Sequence, residues 1–166
     1  GAATARTAAA QGWAVAVNYT HNSLAADEVV RDIRAAGGNA ITAHADVADE
    51  AQVLAMFEKI DAKLGRLSGL VNNAGVVDVA SRVDEMSLAR WQRMFAINVQ
   101  GTFLCTREAV RRMSTKHGGQ GGTIVNISSV AATLGSAGQY VDYAASKAAV
   151  DVFTLGLARE VATEGI

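Results

Sequence analysis

The stretch WAVAVNYTHNSLAADEVVRDIRAAGGNAITAHADV, residues 13–47, decides how the chain is read. It opens with a short, apolar, β-compatible run at residues 13–17. Asn22 and Ser23 then offer N-caps for a helix over about residues 24–36. Val29, Val30 and Ile33 share one stripe of that helix, and Gly37-Gly38 stop it. A second short strand fits residues 40–45. A strand, a helix and a second strand in so short a span form a crossover unit, the connection that parallel strands require.

The same alternation extends in both directions. Residues 2–11 are alanine-rich and favour a helix ending at Gly12. Asp49 with Gln52 makes a capping-box-like start for a helix running to about Leu64. Leu54, Phe57 and Ile60 recur along it near helical spacing, and Gly65 ends it. Leu70 and Val71 begin another strand. From Ser87, a plausible N-cap, helix-compatible sequence continues to about Lys116 with Asn98 in its middle. The glycine cluster at 118–122 closes it, residues 123–127 read as a strand, and a last helix starts near Tyr143 and runs towards Thr163. Repeated helices and short apolar strands imply a doubly wound parallel sheet with helices on both faces. No internal repeat or linker divides the 166 residues, which read as a single domain.

Composition narrows the function classes. Half of the residues are hydrophobic, enough for a buried core, and 19% are charged with a net charge of -1. No broad basic surface exists to neutralise nucleic acid or an anionic membrane. Cys105 is the only cysteine, which excludes an internal disulfide. His21, His44 and His117 are too scattered for a zinc site, so no metal is expected. No apolar run approaches the roughly 18 residues of a membrane span, and the start lacks a basic segment leading into an apolar one. A soluble, cytoplasmic protein is the expectation.

The sharpest chemical signal is Tyr143-Ala-Ala-Ser-Lys147. Four residues apart on a helix, a phenol and an ammonium lie on one face a turn apart, so the positive charge stabilises the phenolate. Such a pair can act as a general acid or base; a surface tyrosine with a coincidental lysine is the plainer reading. Ser129 ends the run Thr-Ile-Val-Asn-Ile-Ser-Ser at the carboxyl end of a strand, where open α/β sheets bind ligands. It can donate to a substrate oxygen or simply cap a turn. Asn98 stands inside a helix, where asparagine is unfavourable unless its side chain or a distorted backbone has another task. Asn72-Asn73-Ala74-Gly75 follows a strand. Its small residues let the backbone approach a ligand, and its amides can tie neighbouring strands together. Asp46-Val47 also follows a strand, and its carboxylate could accept from an exocyclic amine such as adenine's, or cap a turn.

Taken together and in order, these residues resemble the short-chain dehydrogenase/reductase family over essentially the whole chain. That family carries an Asp-Val-like pair, Asn-Asn-Ala-Gly, a helix with a catalytic Asn, a strand ending in Ser, and Tyr-x-x-x-Lys. The stretch from Gly138 to Lys147 is similar to a sugar- or xenobiotic-reductase branch. Tyr140 does not qualify as the catalytic tyrosine, because position 144 is alanine. The resemblance implies a Rossmann-type dinucleotide-binding and catalytic domain and an oxidoreductase that moves a hydride between NAD(P)(H) and a carbonyl or alcohol. Tyr143 would be the general acid/base. Lys147 would hold the nicotinamide ribose, Ser129 would bond the reacting oxygen, and Asn98 would hold a water that connects Lys147 to solvent. Ser129 matches the family spacing better than Ser128 once one extra residue around 140–142 is allowed.

Asn18, Asp46, Val47, Asn73, Ala74 and Gly75 would join Tyr143 and Lys147 at the cofactor. An NAD enzyme commonly ends its second strand in a carboxylate for the adenosine ribose, and here Asn18 stands instead. Thr20, His21 or Asn22 could bond a 2′-phosphate, so NADP is favoured, with NAD possible. A homodimer or homotetramer through the long helices is the implied assembly. The last helix also presents Ala145, Ala149, Val152 and Gly156 as a small-residue stripe for close contact. The family's first strand, glycine-rich turn and C-terminal lid are not found, so the chain is expected to be an internal stretch of a longer protein. The rival reading is a non-catalytic nucleotide-binding or assembly subunit of the same fold.

Overall fold

The computed structural model describes residues 1–166, which divide into two compact units, residues 1–67 and 68–166. In the first unit the order is α1 (Ala2–Ala10), β1 (Val15–Tyr19), α2 (Ser23–Ala35), β2 (Ala40–His44) and α3 (Glu50–Leu64). Strands β1 and β2 are parallel, with Val15 opposite Ala40 and Tyr19 opposite His44. Val15 and Val17 pack on a core of Ala5, Ala9, Val29, Val30, Ile33 and Ala40 from α1, α2 and β2. Asn18, one residue out of phase with them, reaches Met56 of α3 instead. Helices therefore cover both faces of this sheet.

The helix ends follow from local chemistry. Asn22 caps α2 by accepting from the Ala25 amide at 3.0 Å. At the other end Gly37, at φ +83°, lets the Gly38 amide turn back to the Ile33 carbonyl at 2.9 Å. Asp49 caps α3 by accepting from the Gln52 amide at 3.1 Å. The reciprocal half of the expected capping box is different: the Gln52 side-chain oxygen accepts from the Asp46 amide rather than from that of Asp49. The expected start of β1 at residue 13 shifts to Val15. The Trp13 amide still bonds the Ala8 carbonyl at 3.2 Å, and ladder pairing begins with Val15 donating to Asn39. Asn18 thus lies one residue inside the strand, which ends at Tyr19.

The second unit contains β3 (Gly69–Asn72), α4 (Leu88–Phe95), α5 (Gly101–Met113), β4 (Thr123–Asn126), α6 (Ala131–Leu134) and α7 (Val141–Val161), with short 3-10 turns at Val83–Glu85, Thr115–His117 and Ala162–Glu164. Strands β3 and β4 are parallel, with Asn72 opposite Asn126. The Asn72 amide donates to Asn126 Oδ1 at 2.8 Å and to Thr106 Oγ1 of α5 at 2.9 Å. Asn126 in turn donates to Thr154 Oγ1 of α7 at 2.8 Å. One polar chain therefore fastens two strands and two helices, the tie expected of the asparagine amides.

Ser87 caps α4 through the Arg90 amide. The expected single helix from Ser87 is continuous in direction but not in type. Residues Ala96–Gln100 form a π-helical turn between α4 and α5. Such a turn re-registers the residues beyond it and is frequent at functional sites. Here it surrounds Asn98. The α6 turn was not foreseen, because four residues carry no periodicity to read.

Candidate active site

Lys147 and Tyr143 lie one turn apart on α7, as their spacing requires, and their side chains point the same way. The Lys147 ammonium stands 5.8 Å from the centre of the Tyr143 ring. Lys147 is 5% exposed, and its Nζ donates at 2.7 Å to the carbonyl of Ile127, the residue just after β4. Burial pulls its pKa below the usual lysine value, with Asp151 opposing. Tyr143 is half-buried, and its hydroxyl makes no hydrogen bond within the chain. It is free to meet an incoming oxygen.

Asn98 is buried at 1% exposure. Its Oδ1 accepts from the Val76 amide at 2.8 Å, while its Nδ2 donates to the Val76 carbonyl at 2.9 Å and to Ser146 Oγ at 3.0 Å. Ser146 donates onward to the Tyr143 carbonyl at 2.7 Å. The amide thus grips the loop leaving β3 like a strand partner and joins it to the reactive turn of α7. This resolves the placement of an asparagine in a helix: its side chain satisfies a loop backbone, and the π turn aims it there. The Asn98 carbonyl accepts from the Thr102 hydroxyl at 2.8 Å.

Asn73, Ala74 and Gly75 form the turn held by this grip. A Cβ at Gly75 would stand 3.4 Å from Asn98 Oδ1 and 3.5 Å from Lys147 Nζ. The turn is therefore open backbone beside an ammonium. After β4, Ser129 Oγ accepts from the Ala131 amide at 3.2 Å, a local turn bond at the start of α6 that leaves its proton to donate. Ser128 Oγ points instead to the Lys147 carbonyl, at 3.4 Å.

In the first unit, Asp46 and Val47 follow β2. Asp46 Oδ1 accepts from the Ala48 amide at 3.0 Å, and Val47 is buried. The Asn18 amide donates to the carbonyls of Ala43 and Ala45 at 3.1 and 3.0 Å, so only its oxygen faces outward for a ligand. The Thr20 hydroxyl donates to Ala45, and Asn22 caps α2. Of the three side chains suggested for a 2′-phosphate, His21 is the one without an intramolecular bond.

Two further residues complete the setting and were missed in the sequence. Asp142, with no exposure, takes a bidentate pair of bonds from Arg90, Nε to Oδ2 at 2.7 Å and Nη2 to Oδ1 at 3.1 Å. The Arg90 hydrogen bonds hold the Asp142 carboxyl below its usual range against the opposing effect of burial. An aspartate in the first turn of a helix reads simply as complementing the helix dipole, so nothing local singled it out.

A parallel sheet layered with helices, with a tyrosine–lysine pair on one helix face and the lysine bonded just past a strand's carboxyl end, is the arrangement of dinucleotide-dependent α/β oxidoreductases. The sequence model of the family described as short chain dehydrogenase matches residues 1–166, and the chain belongs to that family. It is 53% identical over its whole length to the uncharacterized oxidoreductase YgfF of Escherichia coli, covering 67% of that protein. It is 42% identical to a 3-oxoacyl-(acyl-carrier-protein) reductase of Synechocystis, covering 65% of it. Among solved structures, a short chain dehydrogenase of Burkholderia cenocepacia in complex with NADP matches with TM-score 0.92 and 36% identity, over 100% of this chain and 65% of that one. The chain thus spans about two thirds of the length of the relatives it matches. The Rossmann-type fold is that of the family, and the relatives named here are oxidoreductases.

Proposed function

We propose that the protein reduces a carbonyl compound, or oxidises the matching alcohol, with NADP(H), and that residues 1–166 serve as one dinucleotide-binding and catalytic domain. The observation that carries this reading is the buried Lys147 ammonium beside the unbonded Tyr143 phenol.

The residues present fit the cofactor. Lys147 uses one N–H on Ile127 and keeps two for ribose hydroxyls. Gly75, in the turn of Asn73, Ala74 and Gly75, leaves open the space beside that ammonium, where a Cβ would stand 3.5 Å from Lys147 Nζ. Asp46 and Val47 are assigned to the adenine, with Asp46 Oδ2 as acceptor for its amine. Asn18 is assigned to the adenosine ribose through its outward oxygen. When bound, the nicotinamide supplies or accepts a hydride at the substrate carbon. Tyr143 passes its proton to the carbonyl oxygen as that oxygen gains charge, or takes it back in the alcohol direction. Ser129 donates to the same oxygen from a position fixed by its bond to Ala131, whereas the proton of Ser128 is directed at Lys147. Lys147 favours the phenolate left on Tyr143. Asn98 holds the loop and helix around it and is assigned the water that relays the replacement proton.

NADP is favoured because β1 carries Asn18 rather than a carboxylate and the B. cenocepacia relative was solved with NADP. A homodimer or homotetramer is part of the reading: Val152 on the small-residue stripe of α7 is 72% exposed, and a Cβ at Gly156 would meet open space.

The test follows NADPH absorbance with the full-length protein across aldehydes, ketones and sugars, then repeats it with Tyr143→Phe. Turnover that disappears in the variant is the expected result. Cofactor binding with no turnover on any compound would favour a non-catalytic nucleotide-binding subunit.

A further inference from the structure

The geometry points to Arg90 and Asp142 as positioning residues for Tyr143, an inference that rests on the proton-transfer role proposed for that tyrosine. Arg90 leaves the first turn of α4 and meets Asp142 in the first turn of α7, 52 residues on, through two parallel hydrogen bonds. Its third nitrogen, Nη1, donates to the Val79 carbonyl at 2.6 Å in the loop after β3. The side chains are 10% and 0% exposed. The Ser81 amide adds a bond from that loop to the Gln139 carbonyl at 3.0 Å, just before α7.

Together with Asn98 these contacts make a two-point clamp. The loop is held at Val76 by Asn98 and at Val79 by Arg90, while α7 is held at Ser146 by Asn98 and at Asp142 by Arg90. Each reactive side chain directly follows an anchor: Tyr143 follows Asp142, and Lys147 follows Ser146. The four-residue spacing puts the anchors on one stripe of the helix and the reactive pair on the next, about 100° round the axis. A tyrosine has few torsions, so the direction of its hydroxyl depends on how α7 is turned about that axis. Two buried anchors one turn apart fix that rotation at the reactive end of the helix, while the Asn126–Thr154 bond holds α7 farther along. A planar guanidinium holds both carboxylate oxygens and a carbonyl in one fixed arrangement, which a lysine at position 90 cannot do.

The experiment compares Arg90→Lys and Asp142→Asn with wild type in the full-length protein, counting sites by NADPH titration. Expected are a fall in per-site kcat of about 10²-fold, as for a reacting group displaced by an ångström, unchanged NADPH affinity, and a larger isotope effect with cofactor deuterated at the transferred position. A purely structural role would lower the melting temperature and the number of sites, leaving per-site kcat and the isotope effect alone; that result overturns the proposal. Should either single variant not fold, Arg90→Met with Asp142→Leu replaces the pair by apolar volume, and the same loss is expected there. Fluorotyrosine labelling gives a readout apart from activity. The ¹⁹F resonance assigned to Tyr143 by its loss in Tyr143→Phe should shift or broaden in the pair variants, and an unmoved resonance overturns the proposal. Retained turnover in Tyr143→Phe would sink the parent reading instead, with the fluorine spectrum still reporting whether the pair orients the ring.

Discussion

The Lys147 ammonium lies 5.8 Å from the centre of the Tyr143 ring while it donates to the Ile127 carbonyl, so one buried charge is shared between the residue just after a strand and the ring of a phenol. The Tyr143 hydroxyl makes no bond within the chain, and it is the group we propose meets substrate. Tyr143→Phe keeps the ring and its packing and removes only the proton. We expect kcat to fall by about 10²- to 10⁴-fold, with NADPH affinity and far-ultraviolet circular dichroism unchanged. A smaller loss than tenfold would argue that another group moves the proton.

Lys147 should also leave a signature in stability. Burial places its pKa below 10.5 in the folded protein, although Asp151 works against the shift. The unfolded chain therefore holds this proton more tightly, unfolding takes up a proton between the folded-state pKa and 10.5, and wild-type stability gains from this residue as pH rises through that window. Lys147→Met has no such gain. In urea titrations at increasing pH, the stability of the variant minus that of wild type should decrease towards pH 10.5; a flat or increasing difference contradicts the burial effect.

Asn98→Ala strips partners from the amide and carbonyl of Val76 and from Ser146, all gathered around a side chain with 1% exposure. Orphaning buried groups costs about 1–3 kcal/mol each where water cannot reach them. Chemical denaturation should therefore show a loss of at least about 2 kcal/mol, accompanied by faster amide exchange at Val76. Equal protection at Val76 in variant and wild type would place its support elsewhere.

Gly75→Ala introduces a methyl 3.4 Å from Asn98 Oδ1 and 3.5 Å from Lys147 Nζ. Those contacts are tolerable within the fold but fill the space beside the ammonium. The melting temperature should stay close to that of wild type, and the dissociation constant for NADPH should rise by an order of magnitude, about 1.4 kcal/mol. Fluorescence titration of NADPH measures it, and unaltered affinity would remove this turn from the cofactor site.

Cys105 is 4% exposed, and burial, helped by Glu108, pushes its thiol up to about 11. Thiolate is the reactive form, so the native protein should react with a disulfide reagent at neutral pH far more slowly than the guanidinium-unfolded chain. Comparable rates in the two states would mean that the second unit opens readily around α5.

Much of this molecule was written in local sequence. The alternation of strands and helices and the caps at Asn22, Asp49 and Ser87 follow from short-range patterns. So does the shared face of Tyr143 and Lys147, because a helix fixes the relation between residues i and i+4 wherever it occurs. Asn98 announced itself as misplaced, and the amides of the Asn72 turn as possible ties, but neither named its partner. Those partners were decided by tertiary structure: Asn98 on Val76 and Ser146, Arg90 on Asp142, and the Asn18 amide on the carbonyls of β2 rather than on a ligand. Periodicity and capping act over a few residues, whereas these bonds join positions 22 to 52 apart. A polar side chain's role depends on which distant backbone is left needing a partner when the elements pack. Residue types along the chain set the chemistry available; the packing of α4, the π turn and α7 around one loop decided where that chemistry points.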